Sequence, residues 1–223
     1  MKHLIQINKI ENVTHNVLRI VTNKPRNYKF TPGQATELAI NTPELKDKKR
    51  PFTFTSLPEE DELEFTIKVY EAHEGVTDQL DDLNVGDELI LGDAWGAISY
   101  KGPGTFIAGG AGITPFIAIL KSLRFQGKLA GSKLFFGNKT ENDIIYRKNL
   151  EVWLGSDLHL ALSKDNHKDF HHGYIDKALL KNHNINLSNY VYLCGPPAMM
   201  ESVTAQLYEM GLPKDRLVME DFQ

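Results

Sequence analysis

What this 223-residue sequence has little of narrows it first. Cysteine occurs once, at Cys194, so the chain closes no internal disulfide and builds no four-cysteine zinc or iron–sulfur site from its own ligands. Neither sign of charge is in large excess: 25 Lys and Arg stand against 29 Asp and Glu, a formal net charge of −4, which argues against nucleic acid as a partner. No run of about 18 apolar residues occurs, and residues 1–10 lack the apolar stretch of a signal peptide. A cytoplasmic chain with no membrane partner is therefore expected. Internal repeats and low-complexity tracts are missing as well. The eight histidines are scattered or sit in a loop rich in Lys and Asp, without acids at ligand spacing, so no metal site is expected. If electrons move here, an organic cofactor must carry them.

What is present falls into two halves. Residues 4–7, 17–22, 35–40, 52–56, 64–70 and 88–92 are short alternating or apolar runs separated by Pro, Gly, Asn and Asp, a strand rhythm. One short helix is predicted over residues 76–83, between Gly75 and the turn residues Asn84, Gly86 and Asp87. Many short strands with tight turns fit an antiparallel six-stranded β-barrel. Lys101-Gly102-Pro103-Gly104 then punctuates the chain, dividing a domain of residues 1–101 from one of residues 102–223. Beyond it strands at 105–108, 133–136, 158–162, 190–193 and 217–219 alternate with helices at 115–125, 141–153, 176–181 and 197–210. That alternation predicts a Rossmann-like parallel five-stranded sheet with helices on both faces, in the order 3-2-1-4-5.

The centre of the second half is Thr105-Phe106-Ile107-Ala108-Gly109-Gly110-Ala111-Gly112-Ile113-Thr114-Pro115-Phe116, which reads as strand, glycine loop and helix. Thr114 suits an N-cap and Pro115 the first helical position. Bare N–H groups and the positive end of the helix dipole then face outward together, which favours phosphate. The loop departs from the dehydrogenase fingerprint, with Pro115 where a third glycine belongs and Gly137-Asn138 ending the second strand in place of a ribose-binding acid. Cys194-Gly195-Pro196-Pro197 ends the fourth strand, across the same crevice.

Five motifs occur in order: Phe30-Thr31-Pro32-Gly33-Gln34, Arg50-Pro51-Phe52-Thr53, Gly75-Val76-Thr77, Gly109 through Pro115, and Tyr192-Leu193-Cys194-Gly195-Pro196-Pro197. In order and spacing they resemble the ferredoxin–NADP reductase family, over nearly the whole chain and closest to small bacterial ferredoxin or flavodoxin reductases lacking an iron–sulfur domain. The resemblance implies a flavin-binding barrel followed by a nicotinamide-binding α/β domain. It implies FAD, with FMN as the alternative, held by Arg50, Pro51, Phe52 and Thr53 and by Gly75, Val76 and Thr77. Phe52 stands where the family usually has Tyr. The nicotinamide dinucleotide is assigned to Gly110, Gly112, Ile113, Thr114, Ser163, Lys164, Cys194, Gly195 and Pro196. Ser163-Lys164 replaces the family's Ser-Arg, which favours NADPH, while Asp165 leaves NADH open. Tyr174 is a further family-like position for the adenosine half. Catalytic roles fall on Thr53 beside flavin N5, Cys194 in the nicotinamide pocket, and Glu220, with Phe222 covering the flavin. The implied reaction carries electrons from NAD(P)H through FAD to ferredoxin or flavodoxin, in a monomer or weak dimer. The alternatives are a flavin reductase without a protein acceptor and a non-catalytic redox subunit.

Overall fold

The computed structural model describes residues 2–69, 78–80, 82–166 and 168–220. The first sheet comprises β1 (His3–Thr14), β2 (Val17–Asn23), β3 (Ala35–Ile40), β4 (Arg50–Thr53), β5 (Glu62–Lys68) and β6 (Glu88–Trp95). Its order is β4-β3-β6-β1-β2-β5, and every pairing is antiparallel. β1 serves two partners, pairing with β6 through residues 3–6 and with β2 through residues 7–14. A register shift between Ile7 and Lys9 marks the change of partner, the bend that a bulge supplies. The sheet curls without closing fully. An isolated bridge joins Phe54, just past β4, to Phe65 of β5, and the Thr55 N–H donates to the Glu64 carbonyl at 2.8 Å.

Phe54 sits at the middle of this barrel-like core, stacked on Phe30 with ring centroids 4.3 Å apart and tilted against Phe65 at 5.3 Å. Each fully buried side chain of this size contributes about 2 kcal/mol. β5 shows what lies outside the barrel. Leu63, Phe65 and Ile67 alternate toward the core, yet Glu64 and Thr66 between them are also buried, because the second half of the molecule covers that face.

The second sheet comprises β7 (Gly104–Gly109), β8 (Lys133–Asn138), β9 (Leu158–Leu162), β10 (His171–His172), β11 (Tyr190–Cys194) and β12 (Leu217–Val218). It is parallel throughout, in the order β10-β9-β8-β7-β11-β12. All six residues of the central β7 are buried, as a strand covered on both faces must be. The helices are α1 (Thr114–Phe125), α2 (Arg147–Leu154), α3 (Lys177–Asn182) and α4 (Pro197–Glu209). Residues of α1 and α2 share one core with Phe106, Ala108, Leu134 and Phe136, and residues of α3 and α4 share another with Ile107, Phe135, Val191 and Leu193. Tyr192 ties the linker to β11: its hydroxyl donates to the Gly102 carbonyl at 2.7 Å and accepts from the Lys101 and Gly102 N–H groups at 2.9 and 3.0 Å.

Three expectations change. The parallel sheet has six strands, because His171–His172 adds an edge to the predicted five. The helix predicted over 141–153 is split into a 3-10 turn, Glu141–Asp143, and α2, since Thr140 and Asp143 cap the first turn reciprocally and Tyr146 takes a left-handed φ of 54°. Of the helix predicted over 76–83, the described part is a 3-10 turn, Asp78–Leu80; Val76 and Thr77 lie outside the described residues. Among the described residues no helix is long and apolar enough to cross a membrane.

Candidate functional site

β7 and β11 lie side by side with Ala108 opposite Cys194, so the loops leaving their carboxyl ends meet. One is the 3-10 turn Gly110–Ile113 that runs into α1, and the other is Gly195-Pro196 at the start of α4. Their contact is made of backbone. A Cβ on Gly112 would lie 2.3 Å from the Cys194 carbonyl oxygen, and one on Gly109 would lie 2.4 Å from Met199 Sδ and 2.9 Å from Pro196 Cδ. Gly110 is different: it has a φ of +53°, which glycine adopts without strain, and no described residue lies within 4 Å of the place a Cβ would take. Neither the 3-10 turn nor α1 receives a side-chain cap. Thr114 is not the N-cap expected from sequence. It is already helical, and its buried hydroxyl donates back to the Ala111 carbonyl at 3.0 Å. The result is a glycine cradle opening on an uncapped helix start, where phosphate is favoured. Ile113 is fully buried and has only its backbone to offer.

The opposing wall comes from the barrel. Ala35 pairs with Thr53 on one side and Trp95 on the other, which aligns the ends of β4, β3 and β6. Just past β6, Gly96 has a φ of +123°, and its missing Cβ would lie 2.8 Å from Glu220 Oε1 and 3.7 Å from the Ala35 nitrogen. That same Oε1 accepts from the Ala97 and Ile98 N–H groups at 2.7 and 3.0 Å. Glu220, just after β12, thus reaches back to the barrel's exit. Burial pushes the Cys194 thiol up to about 12, with the Glu220 carboxylate adding to the effect. At neutral pH Cys194 is a protonated, packed thiol rather than a nucleophile. Thr53 pairs with Ala35, Ala35 and Glu220 flank Gly96, Glu220 acts electrostatically on Cys194, and Cys194 abuts Gly112, a chain that runs from wall to wall.

The other candidates are spread more widely. Arg50 and Pro51 are exposed, and Arg50 Nη1 donates to the Lys49 carbonyl at 2.8 Å. Phe52 is half-buried against the barrel core. Ser163 and Lys164 follow β9, two strands from β7. Their N–H groups donate to the Asn138 and Lys139 carbonyls at 3.0 and 2.8 Å. The Asp165 carboxylate accepts from the Glu141 N–H at 2.8 Å. Tyr174 is 80% exposed. Gly75, Val76, Thr77 and Phe222 lie outside the described residues.

Sequence reasoning missed a polar seam behind the cleft. Buried Glu64 accepts from Arg19 at 2.7 and 2.6 Å, from Thr55 Oγ1 at 2.9 Å and from Lys121 Nζ of α1 at 3.1 Å. Lys121 also donates to the Thr55 carbonyl at 2.8 Å. Thr66 and the Tyr146 hydroxyl are hydrogen-bonded at 3.0 Å. Burial, with the Glu64 carboxylate next, pushes Tyr146 up to about 12. The partners that join the two halves lie 57 to 80 positions apart, so no local pattern announces them.

Comparison with known proteins matches these two walls. Residues 3–88 match the FAD-binding domain family and residues 106–205 match the oxidoreductase NAD-binding domain family. The chain thus carries a match to an FAD-binding domain on one wall and to an oxidoreductase NAD-binding domain on the other. A reductase component of propane 2-monooxygenase from Rhodococcus jostii is 28% identical over 97% of this chain and 62% of its own length; the chain spans about three-fifths of the curated relatives it matches. Two solved structures share the fold. The flavohem-like FAD/NAD binding domain of nitric oxide dioxygenase from Vibrio cholerae has a TM-score of 0.87 at 20% identity, covering 98% of both chains. A ferredoxin NADP+ reductase from Neisseria gonorrhoeae, with bound FAD and NADP, has 0.85 at 18%, again covering 98% of both. The chain thus shares the fold of a ferredoxin NADP+ reductase.

Proposed function

We propose that this protein is a flavin-dependent reductase that takes electrons from a nicotinamide dinucleotide on the glycine wall, through FAD on the barrel wall, to a ferredoxin- or flavodoxin-class carrier. The observation that carries the reading is the chain of neighbours from Gly112 through Cys194 and Glu220 to Gly96 and Ala35, which brings the phosphate-favouring loop to the barrel edge bearing Thr53. FAD held on the barrel wall would supply two-electron uptake from the nicotinamide and one-electron release to the carrier. The residues of the chain bind and orient. Arg50 supplies a guanidinium for flavin phosphate, Phe52 a ring face, and Thr53 a hydroxyl. Cys194, protonated by burial, fills the pocket beside the nicotinamide. Glu220, fixed by two N–H groups, holds a proton-accepting oxygen at the junction. The division at residues 101 and 102 separates the two binding units, and because one chain supplies both walls a monomer suffices.

Two details sharpen the reading. Asp165 is engaged by the Glu141 N–H, whereas Lys164 is exposed, which supports NADPH over NADH at the ribose. The name of the Rhodococcus relative, a reductase component, supports a protein acceptor, and we place that exchange in the cytoplasm. The test is the spectrum of the purified protein. It should be yellow, bleach anaerobically with NADPH more readily than with NADH, and oxidise NADPH faster when ferredoxin or flavodoxin is added. No acceleration beyond free flavin assigns it to reductases without a protein acceptor. A colourless protein that neither binds FAD nor oxidises NAD(P)H overturns the reading in favour of a non-catalytic subunit.

A further inference from the structure

The cleft has a front, where the two nucleotide walls face each other, and a back, where α1 meets the barrel. Lys121 belongs to the back and touches both. It lies on α1 seven residues after Thr114, about 10 Å along the axis from the glycine cradle at 1.5 Å per residue. Its Nζ reaches across to the Thr55 carbonyl at 2.8 Å and to Glu64 Oε1 at 3.1 Å. Thr55 is two residues past Thr53, about 7 Å along extended chain. Two short, stiff segments therefore run from one ammonium group, one ending at the phosphate-favouring loop and the other at the strand edge assigned to the flavin.

The rest of the seam does not duplicate this tie. Arg19 grips Glu64 through Nε and Nη2, but Arg19 and Glu64 both belong to the barrel. Tyr146 and Thr66 cross the interface, as do Lys68 and Asp143 at 3.5 Å, but from the segment before α2, not from the helix that carries the cradle. Two residues earlier on α1, Ile119 packs closely on the barrel: a Cβ on Gly33 would lie 3.1 Å from Ile119 Cδ1. That contact holds the surfaces together but leaves sliding along α1 opposed chiefly by directional bonds. Hydride transfer requires its donor and acceptor atoms to be held within a few tenths of an ångström of a productive distance.

We propose that Lys121 is a positioning residue that sets the spacing between the two nucleotide walls by pinning α1 to the strand segment carrying Thr53. The proposal rests on the two-nucleotide reading given above. Removing the ammonium group leaves Glu64 still paired with Arg19, so Lys121→Met is expected to fold.

The experiment is anaerobic stopped-flow reduction by NADPH of the wild type, Lys121→Met and Lys121→Arg, alongside FAD titration and hydrogen–deuterium exchange of the flavin-free proteins. In Lys121→Met the limiting rate of flavin reduction should fall at least tenfold, and the long-wavelength absorbance of the stacked rings should weaken. FAD affinity and half-saturating NADPH should stay within threefold of the wild type. In the flavin-free protein, exchange should rise at the amides around residue 55. Lys121→Arg, whose guanidinium can reach the same acceptors, should recover the rate to within threefold. An unchanged limiting rate in Lys121→Met overturns the proposal. So does a loss of rate that tracks a parallel loss of FAD affinity and is not recovered by Arg, since that is a structural role alone. A wild type that neither binds FAD nor is bleached defeats the parent reading instead, and the two failures are told apart by that control.

Discussion

The two walls of the cleft are built from opposite materials. On the α/β side the surface is backbone: Gly109, Gly110, Gly112 and Gly195 present no side chain, and the loops touch so closely that no Cβ fits at Gly112. On the barrel side it is side chain: Arg50 is exposed, Phe52 lies half-buried on the core and Thr53 ends its strand. A wall of backbone owes its shape to packing, so binding and folding fail together there. A wall of exposed side chains stands on a core that exists without them, so binding can be removed while the fold remains.

The largest expected effect breaks the first wall. Gly112→Ala places a methyl group 2.3 Å from the Cys194 carbonyl oxygen, a clash with main chain that cannot swing aside. Overpacking of this kind costs about 2–3 kcal/mol, a fall in thermal midpoint of roughly 5–10 °C at this size. Displacing the cradle by about an ångström should slow flavin reduction by about a hundredfold. Gly110→Ala is the control. Among the described residues nothing lies within 4 Å of its added methyl, and the φ of +53° resists it, at about 1 kcal/mol. Thermal melts and single-turnover reduction of both variants decide whether the wall behaves as described. Equal midpoints for the two would mean that the loops are looser than their geometry states.

This difference between the walls also decides what could be read in the sequence. Local patterns are legible. The strand rhythm of the barrel, the buried run of β7 and the glycine loop each depend on neighbouring residues, and the order 3-2-1-4-5 follows from right-handed crossovers. β10 was not legible, because His171 and His172 are two polar residues with no period. Nor was the break in the helix predicted over 141–153, since a left-handed Tyr146 has no side-chain signature and is held by what its hydroxyl finds on Thr66. The Glu220 contact with Ala97 and Ile98 spans more than 120 positions. The seam of Glu64 and Lys121 is of the same kind: a charge on an amphipathic helix reads as solvated until the partner domain is in place.

A smaller effect tests the second wall. Arg50→Ala removes an exposed side chain, so urea unfolding of the flavin-free protein should shift by no more than about 0.5 kcal/mol. FAD affinity should weaken by about 10- to 100-fold, the loss of a charge-assisted hydrogen bond worth roughly 1.5–3 kcal/mol. Fluorescence titration with FAD measures one and unfolding the other. Undiminished flavin occupancy and turnover in this variant would show that Arg50 is misassigned, and a large loss of stability would show that the barrel wall is not independent of its core.

The smallest effect lies where the walls meet. Burial, with Glu220 behind it, holds the Cys194 thiol protonated up to about 12, against an ordinary value of 9.0. Between those values the unfolded chain loses a proton that the native chain keeps, so the unfolded state binds fewer protons and stability must fall as pH rises. The contribution is fully present below about pH 9 and is lost progressively toward about pH 12. Cys194→Ala, which has no thiol to ionise, should flatten that part of the stability profile relative to the wild type. The same burial should make the native thiol resist iodoacetamide throughout pH 7–9, where the denatured chain reacts readily, because the thiolate is the reactive form. Rapid native alkylation at pH 8 would mean that the junction is wet and open, and that Cys194 is available for chemistry that its packing denies it. Slow alkylation, with an apparent pKa well above 9, fixes it as part of the pocket's shape, the one place where the backbone wall and the side-chain wall constrain each other.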